Sequence, residues 1–415
     1  MQGRRHRRQA WLLNPKHNDN MNSFLKTVSL ALLLTVGTSI FAQSTESPYQ
    51  FTETVNVRHT PVDNQGSSGT CWCFAGIGFI EAEILRMYGK EFNLSEMYPV
   101  RNAWMEKVEK YVRMHGCNTL SQGGEVCDAI YMTEKYGMIP EADYTGKVIG
   151  EKRHMHSEMN EVITNFAKSI TKRGNGKLTP TWQKAMPGIM DAYLGEVPET
   201  FTVDGKKYTP KSFAEAYPVK WENYVEIASF THVPYNKPFM VEIPDNWTWT
   251  PAYNMPLDDL MDALDYALEN GYTVGWAQDV SDKGFSRNGI GIVPEDDPDK
   301  LRADYPDKYK EKTDKEIADA LYSFEEIVPE KVITQEEHQK AYDSWEVTDD
   351  HSMLVVGMAK DQNGTKYYKI KNSWGEAGNY NGYWYCSESY VRLHTIFFTL
   401  HKDALSKATK KSLNL

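Results

Sequence analysis

The sequence predicts an α+β protein with two lobes, a helical lobe near the start of the chain and a strand-rich lobe near its end. Between residues 50 and 145 apolar residues recur at helical spacing, and between 351 and 401 short apolar runs are separated by turn residues. Helices and strands that occupy separate parts of a chain are typical of α+β folds. The 415 residues are 40% hydrophobic, enough for a large core.

Three helices are predicted in the first lobe. The segment Cys71–Tyr88 has helical apolar spacing and is followed by Gly89, a common residue just after a helix. A second helix is predicted over Ser95–Met114 and a third over Gly124–Tyr136. A glycine-rich turn precedes the first helix, so the thiol of its first residue is predicted to lie at a helix N-terminus.

The stretch from about 146 to 340 is predicted to be a large insertion. It is long and polar, and it contains the amphipathic helix Leu257–Glu269 and the charged run Glu295–Glu330. Four strands are predicted after it, at Met353–Met358, Tyr367–Ile370, Gly382–Cys386 and Thr395–Leu400. Residues 44–415 are thus expected to form one domain.

Residues 1–43 are predicted to be a secretory signal peptide. Lys26 precedes the apolar run Val28–Val36, and small residues lead to Ala42–Gln43. The run is shorter than the roughly 20 residues that span a membrane. Residues 1–20, with four arginines, are interpreted as a start-site artefact or an extended n-region. The expected location of the mature protein is periplasmic or extracellular.

The charge of the mature chain argues against two classes of partner. Without residues 1–43, which hold six Lys/Arg and one acidic residue, 40 basic residues face 56 acidic ones, a net charge of −16. Nucleic acids and anionic membranes attract basic surfaces, so neither is an expected partner after removal of the signal peptide.

No metal or other cofactor is predicted. The five cysteines lack the paired C-x-x-C spacing of zinc sites, and no H-E-x-x-H motif occurs. The odd number of cysteines leaves at least one thiol unpaired. His154 and His156, close to Glu158, are interpreted as part of a solvated surface segment rather than a metal cluster.

Cys71 is the candidate nucleophile. A cysteine attacks a carbonyl as the thiolate, which a helix N-terminus and a neighbouring imidazolium both favour. His351 opens an apolar strand and is the candidate base. Asn372, at the end of the next strand, can accept a hydrogen bond from the ring and fix its tautomer, and Trp374 can shield that bond from water.

The same site needs donors for the oxyanion of a tetrahedral intermediate. The side-chain amide of Gln65 and the backbone N–H of Cys71 are the candidates. Taken singly, each residue has a plain structural explanation, as a packed thiol, a structural histidine or a turn asparagine. Their combination in this order favours an acyl-transfer site. Cys73, two residues along the helix, faces elsewhere and is interpreted as packing.

Several segments resemble papain-type cysteine peptidases, and more narrowly the branch of bleomycin hydrolase and aminopeptidase C. Ser68 stands where papain itself has a cysteine. The resemblance implies a two-lobed papain-like fold and hydrolysis of peptide bonds through an acyl-enzyme, with Trp72 and Trp374 supporting the site. The similar segments are Pro61–Phe74, Gly123–Asp128, Glu134–Pro140, Tyr253–Leu260, Trp276–Val280 and Lys371–Gly375.

The resemblance also implies an aminopeptidase acting on peptide substrates, and a homo-hexamer. In that branch a C-terminal tail enters the cleft and selects a free N-terminus. The tail Ser406–Leu415 does not match the family's proline-rich ending. A papain-like endopeptidase with an open cleft is therefore the alternative. A catalytically dead peptide-binding relative and a non-proteolytic Cys-His amidase or acyltransferase are the other hypotheses.

Overall fold

The computed structural model describes residues 47–172 and 176–415. The predicted signal peptide, residues 1–43, lies outside the described residues. Among those that are described, no helix combines the length and the apolar character that crossing a membrane requires.

The helices agree with the prediction where the apolar spacing is long. The first and the seventh have the predicted bounds, while the second and third begin two residues later than predicted. The third begins late because the backbone N–H of Glu125 bonds to the Asp128 carboxylate at 2.9 Å, which places Glu125 before the first turn. The α-helices of the described residues are α1 Cys71–Tyr88, α2 Met97–Arg113, α3 Val126–Tyr136, α4 Ser157–Thr171, α5 Thr181–Leu194, α6 Pro210–Ala216, α7 Leu257–Glu269, α8 Pro298–Asp304, α9 Pro306–Tyr309, α10 Asp314–Leu321, α11 Gln335–Asp343, α12 Glu388–His394 and α13 Lys407–Leu413.

The four strands predicted near the end of the chain are present; three are longer than predicted, and the third is shifted by one residue. The strands of the described residues are β1 Thr52–Asn56, β2 Phe201–Val203, β3 Lys206–Tyr208, β4 Tyr224–Ala228, β5 Pro238–Met240, β6 Pro251–Asn254, β7 Val274–Gln278, β8 Phe285–Ser286, β9 Ile290–Gly291, β10 His351–Lys360, β11 Lys366–Lys371, β12 Tyr383–Ser387 and β13 Thr395–His401.

Eleven of these strands form one sheet. Its order is β5-β6-β4-β13-β7-β10-β11-β12-β9-β8, with β1 paired antiparallel to β10, while β2 and β3 form a separate hairpin. The stretch 146–340 contributes to both lobes: it supplies α4 to α6 to the helical core and β4 to β9 to the sheet. β7 lies between β13 and β10, so its side chains are part of the central sheet.

Helix α1 joins the helical core to the sheet core. It is buried over most of its length, as expected for a helix covered on several faces. Gly76 permits close packing of α1 on α3, and Gly275 of β7 permits close packing of α3 on the sheet. A β-carbon at Gly76 would lie 2.5 Å from the β-carbon of Ala129 on α3, and one at Gly275 would lie 2.6 Å from the Val126 side chain. This packing fixes the start of α1 beside the sheet.

The C-terminal segment packs at the opposite end of the sheet from the start of α1. Ser406 caps α13, whose Leu413 is buried in the sheet core. The segment follows His401, the last residue of β13. Thr395, the first residue of the same strand, pairs with Gln278, which also pairs with His351 on the other side. Six residues of strand separate the two ends by about 20 Å. The tail therefore does not enter the cleft as the family resemblance implied.

Candidate active site

Cys71 lies at the first turn of α1, next to the start of β10. Thr70 precedes the helix and makes no side-chain cap, so backbone N–H groups of the first turn remain available to the site. The backbone N–H groups of Ser352 and Trp72 lie close enough to the sulfur to favour its anion. Because Ser352 follows His351 directly, this contact brings the candidate nucleophile to the candidate base.

His351 is held in one tautomer by its neighbours. Its Nε2 lies 2.9 Å from Asn372 Oδ1, and the same oxygen accepts from the backbone N–H of Ser373 at 2.7 Å. Since the Ser373 group can only donate, the Asn372 atom is the carbonyl oxygen and His351 Nε2 carries a proton. The other ring nitrogen, Nδ1, is then free to exchange a proton with a thiol.

Trp374 covers the His351 ring, as predicted. The two ring centroids are 5.0 Å apart. Trp374 is itself held edge-on by Trp384 at 5.2 Å and by Phe285 at 6.0 Å. The aromatic cluster keeps the bond between His351 and Asn372 away from water, which strengthens it.

Gln65 is fixed by three hydrogen bonds. Its Oε1 accepts from the hydroxyl of Ser373 at 2.5 Å, and its Nε2 donates to the Ser68 carbonyl at 2.7 Å. Its backbone N–H donates to the Ser373 carbonyl at 2.9 Å. The second N–H of the side-chain amide remains for an oxyanion. Ser373 was not singled out from the sequence, although it lies inside the Asn-Ser-Trp-Gly motif.

Trp72 supports the site from behind rather than contacting the catalytic pair. It is buried, and its indole N–H donates to the backbone carbonyl of Gln122 at 2.9 Å. The Gln122 side chain in turn accepts from the backbone N–H of Gly69 at 3.0 Å. These bonds tie the segment of Gly123 and Gly124 to the turn before Cys71.

Burial gives the two catalytic candidates opposite pKa shifts. It raises the pKa of the Cys71 thiol to about 12 and lowers the pKa of the His351 imidazole to about 4. The backbone N–H groups of Ser352 and Trp72 lower the thiol pKa in the expected direction, but desolvation is the larger effect. A thiolate beside an imidazolium carries no net charge, so burial penalises the pair less than either ion alone.

Two further expectations concern residues outside the catalytic group. His154 and His156 are buried rather than solvated: the His154 ring packs against Phe74, and the two histidine rings lie 5.7 Å apart. Cys73 is buried, and its thiol lies 3.1 Å from the Glu96 carbonyl, which agrees with a packing role. All five cysteines are free thiols. Within residues 47–172 and 176–415, no cluster of His, Cys, Asp and Glu is suited to hold a metal ion.

Comparison with known families agrees with this geometry. The family described as papain family cysteine protease matches residues 49–190, which include Gln65 and Cys71. The family described as Peptidase C1-like matches residues 307–415, which include His351 and Asn372. Each half of the candidate site thus lies within a match to a cysteine peptidase family of the papain type, and the predicted resemblance, fold class and enzyme class are confirmed.

The chain is also similar over most of its length to relatives named aminopeptidase C and aminopeptidase G. It is 24% identical over 395 residues to aminopeptidase C of Listeria monocytogenes, covering 85% of this chain and 82% of the relative. It is 23% identical over 392 residues to aminopeptidase G of Lactobacillus delbrueckii, covering 85% and 83%. The crystal structure of PepW from Lactobacillus rhamnosis superposes with a TM-score of 0.63 at 20% identity, covering 88% of this chain and 84% of that one, and has the same fold.

Proposed function

We propose that the protein is an exported thiol aminopeptidase, which removes residues from the free N-terminus of peptides. The relatives named as aminopeptidases support the activity. The observation that carries the proposal is an internal segment, Val241–Thr250, that closes the cleft on one side of Cys71.

The chemistry follows from the four predicted site residues. His351 Nδ1 takes the thiol proton as the sulfur of Cys71 forms a bond to the scissile carbonyl carbon. The carbonyl electrons move to oxygen, where the N–H groups of Gln65 and Cys71 stabilise the anion. The C–N bond then breaks, and His351 gives its proton to the leaving amine. Water attacks the resulting thioester, with His351 as the base, and the thiol is regenerated.

The direction of the substrate follows from the same roles. The leaving amine must reach His351, so the residues after the scissile bond lie on the side of His351 and Trp374. The acyl part, which carries the free amino group in an aminopeptidase, lies on the other side of the sulfur. Gly123 adjoins the turn before Cys71, because Trp72 and Gly69 hold the adjacent Gln122, and we assign it to the acyl side.

The Val241–Thr250 segment occupies this acyl side. A β-carbon at Gly123 would overlap the Asp245 carboxylate, so this side chain lies directly against the Gly123 backbone. The Trp247 indole donates to Asp128 at 2.6 Å, and Thr248 donates to the same carboxylate at 3.0 Å. A peptide that continued past Gly123 would have to displace these contacts. The segment therefore favours substrates that end at this point.

The activity is tested with two aminoacyl coumarin amides, one with a free amino group and one N-acetylated. We expect the purified chain to release coumarin from the free substrate at least about tenfold faster, and Cys71→Ala to release none. A long peptide with a blocked N-terminus is the third substrate. Internal cleavage of that peptide at the rate seen with an unblocked peptide would establish the endopeptidase alternative instead.

Export and assembly remain predictions. N-terminal sequencing of the mature protein should find its first residue close to Ser44 if residues 1–43 are removed as a signal peptide. Light scattering on the same preparation measures whether the hexamer implied by the family resemblance forms.

A further inference from the structure

Asp349 faces the cleft from the segment that leads into β10. Side chains two residues apart in extended chain share a face, so Asp349 points the same way as His351 and opposite to Asp350. The Asp350 carboxylate accordingly accepts from the backbone N–H of Val280 at 2.9 Å. The segment is fixed because Asp279 accepts from the backbone N–H of Thr348 at 2.7 Å. Asp349 thus has a defined position beside the catalytic histidine.

Asp245 reaches the same place from the Val241–Thr250 segment. Its Oδ1 accepts from the Ser121 hydroxyl at 3.0 Å, and its carboxylate lies over Gly123. Asp245 and Asp349 are partly exposed and close enough to Cys71 to disfavour its thiolate. Two carboxylates from distant parts of the sequence therefore line the acyl side of the nucleophile.

Glu125 lies directly behind these two carboxylates. Its side chain is only 1% exposed, and no basic or hydroxyl side chain of the described residues pairs with either carboxyl oxygen. Asp349 is in contact with it, and Asp245 acts on it as well. The buried ammonium of Lys107 offsets one negative charge of the group. Burial and the neighbouring acids raise the pKa of Glu125 and of Asp349, so these acids hold protons that a bound cation would displace.

We propose that Asp245 and Asp349, backed by Glu125, form an ammonium-binding site that takes the free α-amino group of the peptide substrate. The inference rests on the proposed aminopeptidase function and names the residues that read the amino group. They perform the task that a C-terminal carboxylate performs in the family. The tail of this chain follows the far end of β13, about 20 Å along the strand from the end that adjoins His351.

Binding of the substrate would also activate the nucleophile. Burial raises the pKa of Asp349 to about 8, and wherever Asp245 or Asp349 is ionised in the free enzyme its charge raises the pKa of the Cys71 thiol. An ammonium placed between them removes this repulsion and adds an attraction to the thiolate. The site thereby makes the reactivity of Cys71 depend on the presence of a free N-terminus.

Asp245→Asn and Asp349→Asn test the site, with Asp262→Asn, an exposed carboxylate on α7, as the matched control. Each variant is assayed on an alanyl coumarin amide, on its N-acetyl derivative, and on N-acetyl-lysyl-alanyl coumarin amide, whose only ammonium is on a side chain. We expect each cluster variant to reduce the preference for the free over the acetylated alanyl substrate by about 10- to 100-fold, since a charged hydrogen bond is lost. Asp262→Asn should retain the wild-type preference.

Three results separate the hypotheses. A wild-type enzyme that cleaves both alanyl substrates equally overturns the aminopeptidase function and the site together. A wild-type preference that both cluster variants retain overturns the site alone. Loss confined to the lysyl substrate shows that the carboxylates read a side chain, which also overturns the proposal. Alkylation of Cys71 by iodoacetamide and thermal melting confirm that the variants are folded, and Asp245→Glu should restore part of the preference.

Discussion

Ser373 connects the two halves of the catalytic site. Its hydroxyl holds the Gln65 side chain, and its backbone N–H holds the oxygen of Asn372 that orients His351. The oxyanion donor and the general base are therefore positioned by two groups of one residue, its hydroxyl and its backbone N–H. A shift of this residue moves both groups at once, so their relative geometry is preserved.

Gln65→Ala should lower kcat by about 100- to 1,000-fold, because one oxyanion donor is lost. Ser373→Ala should have a smaller effect in the same direction, since Gln65 keeps its bond to the Ser68 carbonyl. KM should change little in both variants, because the interaction forms in the transition state. Steady-state kinetics on the free alanyl substrate measure these values. Equal kcat values for wild type and Gln65→Ala would remove Gln65 from the site.

At the scale of elements, α13 has a structural role at the end of the chain. Leu413 is buried in the sheet core, and Lys410 pairs with Asp403 at 3.1 Å, which holds the helix on the turn after β13. Leu413→Ala should destabilise the fold by about 2–5 kcal/mol, as buried leucines do when truncated. Urea denaturation measures the loss. The preference for free N-termini should stay unchanged in this variant, because α13 lies far from Cys71. A reduced preference would indicate that the tail does take part in the cleft.

The sequence predicts the elements that are long or end in clear signals. Helix α1 has an uninterrupted apolar pattern and Gly89 after it, and its bounds are as predicted. The two-residue strands β8 and β9 and the helix α12 carry too few residues to show a period. The Cys-His-Asn-Gln group was found because known motifs surround each member. Asp245 and Asp349 have no such motif, and only the fold brings them together.

At the scale of the whole molecule, buried acids and buried histidines respond to pH in opposite directions. Burial raises the pKa of Glu226 to about 8. Between about 4.5 and 8 the folded state keeps a proton that the unfolded state has lost, so the free energy of unfolding falls as pH rises. Burial lowers the pKa of His154 to about 3 and that of His156 to about 4. Their contribution is lost as pH falls below about 6.5, where only the unfolded histidines gain protons.

Glu226→Gln isolates the first of these effects, because an amide of the same shape does not titrate. The unfolding free energy of wild type, relative to this variant, should fall by on the order of 1–3 kcal/mol between pH 5 and pH 8. Urea denaturation at the two pH values measures the difference. Glu269→Gln, an exposed position at the end of α7, is the control and should follow wild type at both. Parallel behaviour of Glu226→Gln and wild type would contradict the assignment.

The position of α13 has a practical consequence. The segment after β13 packs at the end of the sheet remote from Cys71, so a domain or resin attached after Leu415 would project away from the cleft. The enzyme can then be immobilised or displayed through that end with its substrates still free to enter. A relative whose tail fills the cleft would change its specificity under the same treatment.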